Sequence, residues 1–247
     1  MKPLVLCLAV VCLTACSSPE RAATDAAPDV TAASLGTITG QVVVDGAVPP
    51  ANIIRLNGDP KCVALADGEE RRTEHVLLGD DNSLQHAFVY VKDGLPASLY
   101  PVPAQPVVLD QQKCRYVPRV LGVQVGQQLT IRNSDPLLHN VRAESVVNQP
   151  FDVGTPVQRM EVQRTFATRE VMVPVKCSVH SWMNAYIGVL EHPFFAATGV
   201  DGRFSIPPLP PGTYTVEVWH EQFGTQTQQI TVAANDRQSI TFTYKAS

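Results

Sequence analysis

The chain contains 247 residues, of which 45 % are hydrophobic and 17 % are charged, and its formal net charge is −4. This length suffices for one large domain or two ordinary domains, each with its own hydrophobic core. The negative net charge and the lack of a basic cluster argue against nucleic-acid binding, which requires concentrated positive charge.

The chain begins with MKPLVLCLAVVCLTAC (1–16), which has one lysine, an apolar run and then small residues. This pattern predicts a secretory signal peptide, because the apolar run is too short to span a bilayer. The last four residues, LTAC, resemble the lipobox of bacterial lipoproteins. The resemblance implies cleavage before Cys16, lipid attachment at Cys16 and a membrane anchor on the periplasmic side, with Ser17 favouring the outer membrane. The alternatives are an ordinary signal peptide with a chance cysteine, or a plain apolar anchor.

Residues 17–35, SSPERAATDAAPDVTAASL, are small and polar and lack hydrophobic periodicity. They predict a flexible tether between the membrane and the folded part of the chain.

Short runs rich in β-branched residues, separated by turn signals, occupy most of the remaining chain. This pattern predicts an all-β fold of the β-sandwich type, with almost no helix. The predicted strands lie within GTITGQVVVDG (36–46), HAFVYVKDG (86–94), PVVLD (106–110), LGVQVGQQLTIRNSD (121–135), REVMVPVKC (169–177), AYIGVLEH (185–192), GRFSI (202–206), GTYTVEVWH (212–220), QTQQITVA (226–233) and QSITFTY (238–244). Residues 142–165 lack the pattern and predict an irregular segment that is too long for a hairpin loop.

The tail at residues 198–232 contains DGRFSI, then LPPGTYTVEV, then an amphipathic strand. This segment resembles the carboxypeptidase regulatory-like, prealbumin-type β-sandwich. That family usually begins with a strand such as GTITGQVVVDGAVPP, which lies here at residues 36–50. The resemblance therefore implies a sandwich split in sequence, formed by residues 36–104 and 193–247. The alternative is two unrelated β units in tandem.

Two segments of the middle region place metal-binding residue types at the end of a predicted strand. One is VQVGQQLTIRNSDPLLHNVRA (123–143), and the other is VPVKCSVHSWMNAYIGVLE (173–191). Both resemble the copper-site segments of cupredoxins, and the spacing Cys-x-x-His-x-x-Met resembles the short ligand loop of amicyanin-type members. The resemblance covers residues 105–192 and implies a cupredoxin-like Greek-key β-sandwich that holds one type 1 copper ion.

The resemblance implies four copper ligands, namely His139, Cys177, His180 and Met183. A thiolate, two neutral imidazoles and a distant thioether suit a copper site that transfers electrons, whereas structural zinc sites normally have more thiolates and no methionine. Asn140 would hydrogen-bond to the ligand loop and fix its shape, and His180 would lie nearest the surface. The sequence departs from the family at Ser181 and Ala185, where proline and glycine are frequent, which leaves the loop conformation open.

Six cysteines are present, of which two lie in the predicted signal peptide and Cys16 would carry lipid. In an oxidising compartment, the remaining three suggest one disulfide and one cysteine with another function. Because Cys177 lies among ligand residue types, we predict a disulfide between Cys62 and Cys114. Free buried thiols remain an alternative, as does a bridge through Cys177, which would exclude the metal site.

Four further residues that could form an accessory polar site are Glu191, His192, His220 and Glu221. They could instead serve as interdomain or surface hydrogen-bond partners. His75 and His86 have no partner evident in the sequence. Trp182 could pack on the ligand loop or form part of an apolar docking patch. No catalytic triad pattern, phosphate-binding loop or paired-carboxylate spacing is visible, so we do not expect an enzyme.

These features predict a membrane-anchored type 1 copper protein that carries single electrons in the bacterial cell envelope and docks a redox partner protein. One alternative is a non-redox β-sandwich scaffold or binding lipoprotein, against which the complete ligand set argues. The other is a copper storage or delivery protein. The chain has only four methionines, whereas that function would favour several exposed methionines or histidines near the site.

Overall fold

A computed structural model of the protein describes residues 34–56 and 58–246. The predicted signal peptide, Cys16 and nearly all of the predicted tether lie outside these residues. Within them, regular structure other than β-strand is restricted to helix α1 (Pro60–Ala66) and a 3₁₀ turn at Asp80–Asn82. Neither is long and apolar enough to cross a membrane. The prediction of an all-β fold is confirmed.

Seven strands form a two-sheet unit that we call the terminal sandwich. These strands are β1 (Gly36–Asp45), β2 (Phe88–Asp93), β12 (Phe195–Ala197), β13 (Arg203–Leu209), β14 (Gly212–His220), β15 (Gly224–Val232) and β16 (Arg237–Lys245). One sheet has the strand order β13-β1-β16, and the other has the order β12-β2-β14-β15. Phe204, Ile206 and Val216 are buried in its core. They follow the period of two that a strand with one buried face requires.

Strand β1 lies between two strands from the other end of the chain. It pairs in parallel with β16, from Thr37 opposite Arg237 to Asp45 opposite Lys245, and antiparallel with β13. The terminal sandwich is therefore assembled from both ends of the described chain.

Nine strands from the middle of the sequence form a second two-sheet unit, which we call the central sandwich. These strands are β3 (Val107–Gln111), β4 (Tyr116–Val117), β5 (Val120–Gln124), β6 (Leu129–Asn133), β7 (His139–Ala143), β8 (Phe151–Thr155), β9 (Glu161–Arg164), β10 (Glu170–Lys176) and β11 (Asn184–Leu190). The sheets have the orders β5-β11-β10-β7-β8 and β4-β3-β6-β9. Fully buried side chains of both sheets, including Leu109, Ile131 and Ile187, share one core. The prediction of two β-sandwich units is confirmed.

Strands β8 and β9 occupy the segment 142–165, for which the sequence predicted no regular structure. That prediction is wrong. Each of the two strands lies at the edge of its sheet, and β9 has no buried residue. Edge strands are covered on fewer sides, so their sequences show weaker hydrophobic alternation.

Helix α1 was not predicted, although its start signals are present in the sequence. The side chain of Asp59 accepts hydrogen bonds from the backbone N–H groups of Lys61 and Cys62 at 2.9 and 3.3 Å. Pro60 occupies the first helical position, where a backbone N–H has no partner within the helix. An acidic N-cap followed by proline is a common start of a helix.

The segment around α1 belongs to the core of the central sandwich. Leu56, Cys62 and Ala66 pack in the same cluster as the buried residues of β5 to β11. This placement differs from the sequence analysis, which assigned residues 36–104 to the regulatory-like unit. The short helix therefore covers part of the unit that carries the predicted ligands.

Two glycines determine how closely the sandwiches approach each other. Gly122 in β5 and Gly188 in β11 are paired in register. A Cβ atom at Gly122 would lie 2.2 Å from the ring of Phe195, and one at Gly188 would lie 2.4 Å from the ring of Phe88. The missing side chains thus leave space for two rings of the terminal sandwich, as glycines in strands often do.

Candidate metal centre

The four predicted ligands lie where two neighbouring strands end. His139 is the first residue of β7, and Cys177 directly follows β10. Because β7 and β10 are antiparallel neighbours, the start of β7 and the end of β10 lie side by side at the same end of the sheet. His180 and Met183 follow in residues 177–183, which we call the ligand loop. Two backbone hydrogen bonds close the loop, from Cys177 N–H to the Met183 carbonyl at 3.1 Å and from Met183 N–H to the His180 carbonyl at 2.9 Å.

Three of the predicted ligands come together in the structure. Nδ1 of His139 lies 3.0 Å from Nδ1 of His180, and Sγ of Cys177 lies 3.9 Å from Nδ1 of His180. One ligand atom from each of the three residues lies within 4.8 Å of the other two. The exposed fractions of His139, Cys177 and His180 are 0, 4 and 2 %, so solvent has little access to these atoms.

Each histidine ring is held on its far side by a carboxylate. Nε2 of His139 lies 2.9 Å from Oδ2 of Asp135, and Nε2 of His180 lies 3.0 Å from Oδ2 of Asp59. An ionised carboxylate only accepts hydrogen bonds, so each Nε2 carries a proton, and in the neutral form of each ring Nδ1 presents a lone pair to the other ring. Histidines that bind metal ions are usually oriented in this way.

The two facing nitrogens show whether these residues fit a copper ion. When both rings are neutral and protonated at Nε2, two lone pairs face each other at 3.0 Å, and this contact is repulsive unless a proton or a metal ion lies between them. A thiolate and two imidazoles are donors that copper binds well in proteins. The residues therefore fit a copper ion by both charge and donor type.

The environment of Cys177 favours its thiolate form. Burial alone would raise the pKa of this thiol, but hydrogen bonds from His139 and from the backbone N–H groups of Asn140 and His180 lower the pKa to about 6. Burial likewise opposes protonation of His139, yet its hydrogen bonds with Asp135 and Cys177 raise the pKa of this ring. The thiolate is the form of cysteine that binds metals.

Asn140 connects β7 to the ligand loop. Its Oδ1 accepts a hydrogen bond from the Ser178 backbone N–H at 2.6 Å. The same oxygen lies 3.3 Å from Sγ of Cys177, which donates to it only when the thiol is protonated. Its Nδ2 donates to Asp152 at 2.6 Å, and its carbonyl accepts from the Tyr116 hydroxyl at 2.5 Å. These contacts hold the first two residues of the loop against the neighbouring strand.

Trp182 and Met183 lie at the inner side of the loop. The Trp182 ring centroid is 5.1 Å from that of His180, and its Nε1–H donates to the Cys114 carbonyl at 3.1 Å. Of the two positions considered for Trp182, the structure shows packing on the loop. Met183 is buried in the central core, and its function as an axial ligand stays a prediction.

A disulfide borders the site. The structure joins Cys62 to Cys114, with Cα atoms 5.8 Å apart, and leaves Cys177 as a buried free thiol. The sulfur atoms of Cys62 and Cys114 lie within 4.8 Å of a ring nitrogen of His180. The backbone N–H of Cys114 also donates to Asp135 at 2.8 Å. The disulfide therefore attaches helix α1 beside both histidines.

The expectation that His180 lies nearest the surface is wrong. Its ring is buried because the residues leading into α1 cover it, with Asp59 bonded to Nε2. Asp59 was not among the predicted site residues. The Asp-Pro pair at 59–60 marks a helix start in the sequence, but nothing in the sequence indicates that this helix lies against a residue more than a hundred positions later.

The structure does not bring Glu191, His192, His220 and Glu221 together as an accessory polar site, and His192, His220 and Glu221 instead serve as hydrogen-bond partners, which was the other interpretation. Nδ1 of His192 accepts a hydrogen bond from the Phe194 backbone N–H at 3.2 Å, and Nδ1 of His220 accepts from the Gln222 backbone N–H at 3.3 Å. Burial lowers the pKa of each ring to about 4. Both histidines are therefore neutral, buried hydrogen-bond partners of the backbone.

Glu221 instead joins the two sandwiches near the ligand loop. Its Oε1 accepts hydrogen bonds from Nε and Nη2 of Arg119 at 3.1 and 2.5 Å. Its Oε2 accepts from the Tyr186 hydroxyl at 3.2 Å and lies 2.8 Å from Nδ1 of His75. Nη1 of Arg119 donates to the Asn184 carbonyl at 3.2 Å. Within the described residues, His75 thus has a partner that the sequence did not reveal.

Comparison with known proteins covers the two sandwiches separately. The family model for the carboxypeptidase regulatory-like domain matches residues 184–245, which confirms the resemblance predicted from residues 198–232. The matched segment begins in β11 of the central sandwich and continues through the terminal sandwich. No curated protein sequence matches.

Several solved copper proteins are similar to part of the chain. One is a Cu-containing nitrite reductase (NirK) from Thermus scotoductus SA-01, with 20 % identity and a TM-score of 0.30 over 39 % of this chain and 25 % of the other. An oxidised amicyanin variant has 21 % identity and a TM-score of 0.32 over 41 % of this chain and 97 % of its own. A reduced amicyanin variant has 22 % identity and a TM-score of 0.31 over 42 and 98 %. The chain spans a quarter of the nitrite reductase, and TM-scores this low support no inference about its activity.

Proposed function

We propose that this chain is a type 1 copper protein that carries single electrons in the bacterial cell envelope, with a lipid at Cys16 as its membrane anchor. The supporting observation is the buried group of His139 Nδ1, His180 Nδ1 and Cys177 Sγ, whose atoms lie within 4.8 Å of one another. The sequence features of residues 1–16 support the location.

Each residue of the site has a distinct function in this proposal. The residues that would hold the ion are His139, Cys177 and His180, with Met183 as a weaker fourth ligand. Bound copper would supply one-electron chemistry between Cu(I) and Cu(II). Asp135 and Asp59 keep protons on the Nε2 atoms, so that each Nδ1 is free to bind. Backbone N–H groups directed at the sulfur stabilise its negative charge.

The same contacts make the site rigid and dry. Asn140 fixes the start of the ligand loop, Trp182 packs on His180, and the disulfide at Cys62 attaches α1 above the ring. A site whose ligands are held by packing and by further hydrogen bonds keeps its geometry when its charge changes. This property suits electron transfer, and it disfavours release of the ion to another protein.

A redox partner protein would dock beside the residues that cover His180. Leu138 and Val179 are each 47 % exposed, and they line one shallow pocket together with Asp59 and Lys61. Apolar side chains exposed next to a buried site suit brief contact with a second protein.

Titration of the metal-free chain with Cu(II) tests the proposal. We expect one ion per chain and an intense visible absorption band from sulfur-to-copper charge transfer. Cys177→Ser and His139→Gln should abolish the band. His192→Gln, which alters a buried histidine outside the site, should retain it. A band that survives Cys177→Ser, or a wild-type chain that binds no copper, would refute the assignment.

The same preparation distinguishes the two alternative functions. A scaffold protein would bind no copper with the Cys177-dependent band. A storage or delivery protein would pass its copper rapidly to a competing chelator. We expect slow transfer, because the three donor atoms are almost completely buried.

A further inference from the structure

None of the four predicted ligands offers an electron a direct exit to the surface. The exposed fractions of His139, Cys177, His180 and Met183 are 0, 4, 2 and 2 %. The far side of each histidine ring is covered by a carboxylate. Because electron transfer slows steeply as the distance through protein grows, another group must connect these buried side chains with the surface.

Trp182 extends from a ligand ring to the surface. Within the described residues, two rings contact the ring of His180, namely those of His139 and Trp182, with centroid distances of 4.8 and 5.1 Å. His139 is completely buried, whereas Trp182 is only half-buried. One indole therefore contacts a ligand and also reaches the outside of the central sandwich.

The outer part of Trp182 borders a cleft of about 420 Å³. Arg55, His75 and Ser181 also line this cleft, and all three are exposed, so the cleft opens to solvent. It shares no residue with the pocket that Leu138 and Val179 line. The chain therefore has a second face close to the ligand loop.

The orientation of the indole is fixed. Its Nε1–H donates to the Cys114 carbonyl at 3.1 Å. Cys114 is itself held by the disulfide to Cys62 and by the hydrogen bond from its N–H to Asp135. A side chain that is locked by its neighbours keeps one geometry, so the contact between Trp182 and His180 is maintained.

Asp59 provides a competing connection from His180 to solvent. Its Oδ2 lies 3.0 Å from Nε2 of His180, and its side chain is 27 % exposed. This connection runs through one hydrogen bond and then through the single bonds of a short side chain. The indole instead offers a delocalised π-system that spans the distance from the ligand ring to the cleft, which favours Trp182.

We propose that Trp182 is the group through which electrons pass between His180 and the surface cleft lined by Arg55, His75 and Ser181. The ring bridges the two without being oxidised itself. This function of Trp182 rests on the copper function proposed above.

Oxidation of the copper-loaded full chain by small metal complexes tests the proposal. Each transfer moves one electron from Cu(I), which becomes Cu(II), to hexacyanoferrate(III), which becomes hexacyanoferrate(II), and no proton is exchanged. Stopped-flow measurement of the sulfur-to-copper band gives the rate. A cationic oxidant, tris(phenanthroline)cobalt(III), is used in parallel, because an effect on the bridge should be independent of the charge of the reagent.

Three variants separate the bridge from the structure of the site. Trp182→Leu should slow both reactions severalfold, while the Cys177-dependent band and the reduction potential stay as in the wild type. Trp182→Tyr keeps an aromatic ring and should recover part of the rate. Trp219→Phe is the matched control, because this half-buried tryptophan packs on Tyr186 rather than on a ligand, and its rates should equal those of the wild type.

Fluorescence supplies a measurement that needs neither copper nor a variant of Trp182. The chain has two tryptophans, so Trp219→Phe leaves Trp182 as the only emitter. Acrylamide should quench this emission in the metal-free folded chain, because the ring borders an open cleft. Added Cu(II) should then quench it further at one ion per chain.

The failure of this proposal can be distinguished from the failure of the copper function. A wild-type chain without the Cys177-dependent band would refute the copper function. A Trp182→Leu chain that keeps the band and potential and reacts as fast as the wild type would overturn the proposal, and it would leave Asp59 as the route. Emission of Trp182 that acrylamide does not quench would also overturn it.

Discussion

Substitution of Asp59 separates two functions of one carboxylate. Oδ1 caps helix α1 by accepting from Lys61 and Cys62, and Oδ2 holds Nε2 of His180 at 3.0 Å. Serine retains a good N-cap oxygen but has no second oxygen for His180. Alanine removes both contacts. Comparison of the two variants therefore assigns any loss of stability to the cap and any loss of copper affinity to the histidine contact.

The two substitutions of Asp59 should differ in their effect on the free energy of unfolding but not in their effect on copper affinity. Loss of the N-cap should reduce the free energy of unfolding by about 1 kcal/mol in Asp59→Ala and by much less in Asp59→Ser. Loss of the partner of a metal-bound histidine should weaken copper binding by roughly 10–100-fold in both variants. The same substitution at Asp236 is the matched control, because this partly exposed aspartate also accepts from backbone N–H groups, and none of its hydrogen bonds within the described residues involves a histidine.

Two measurements decide the outcome. Urea unfolding of the metal-free chains gives the stabilities, and competition with a chelator gives the copper affinities. The reasoning would be refuted if Asp59→Ser bound copper as tightly as the wild type, because His180 would then need no carboxylate to orient it. It would also be refuted if Asp236→Ser lost as much affinity, because the effect would then not be local.

Two further predictions concern stability. Alanine at both Cys62 and Cys114 removes a crosslink across 52 residues. The chain entropy of the unfolded state then predicts that the free energy of unfolding falls by about 4 kcal/mol. Urea unfolding of the metal-free chains should show a decrease near this size, and a decrease below ~1 kcal/mol would contradict the prediction. Burial lowers the pKa of His220 in the folded chain to about 4, from the ordinary 6.5. Between pH 4 and pH 6.5, His220 therefore binds a proton in the unfolded chain but not in the folded chain. The free energy of unfolding should therefore fall as the pH decreases from 6.5 to 4, and His220→Gln should reduce this dependence by up to about 3 kcal/mol. An unchanged pH profile would contradict it. Among the described residues, the charged or titratable groups near His220 include Glu221, His86, Arg119 and Tyr244.

The features that sequence predicted well are those that local pattern determines. Strands with one buried face, such as β13 and β14, show the period of two directly in their residues. The grouping of Cys177 with His180 was also predictable, because three residues in a short loop keep both side chains near each other. His139 joins them because β7 and β10 are neighbours, which the resemblance to a known strand arrangement implied.

The features that sequence missed depend on contacts between distant segments. Strands β8 and β9 are held by pairing with β7 and β6 rather than by a hydrophobic pattern of their own. Helix α1 is only seven residues long, too short to form alone, and it is fixed by the bond between Cys62 and Cys114. The disulfide between Cys62 and Cys114 places Asp59 against the ring of His180. The burial of this ring therefore could not be predicted from the sequence around Asp59 or from that around His180.

The contacts of Glu221 also bear on the function of the terminal sandwich. Glu221 follows β14, and it binds Arg119 of the central sandwich through a buried ion pair. Arg119 in turn donates to the carbonyl of Asn184, the residue directly after Met183. Because removal of one partner from a buried ion pair leaves an unpaired charge, this connection resists displacement. The terminal sandwich therefore supports the residue that directly follows the ligand loop.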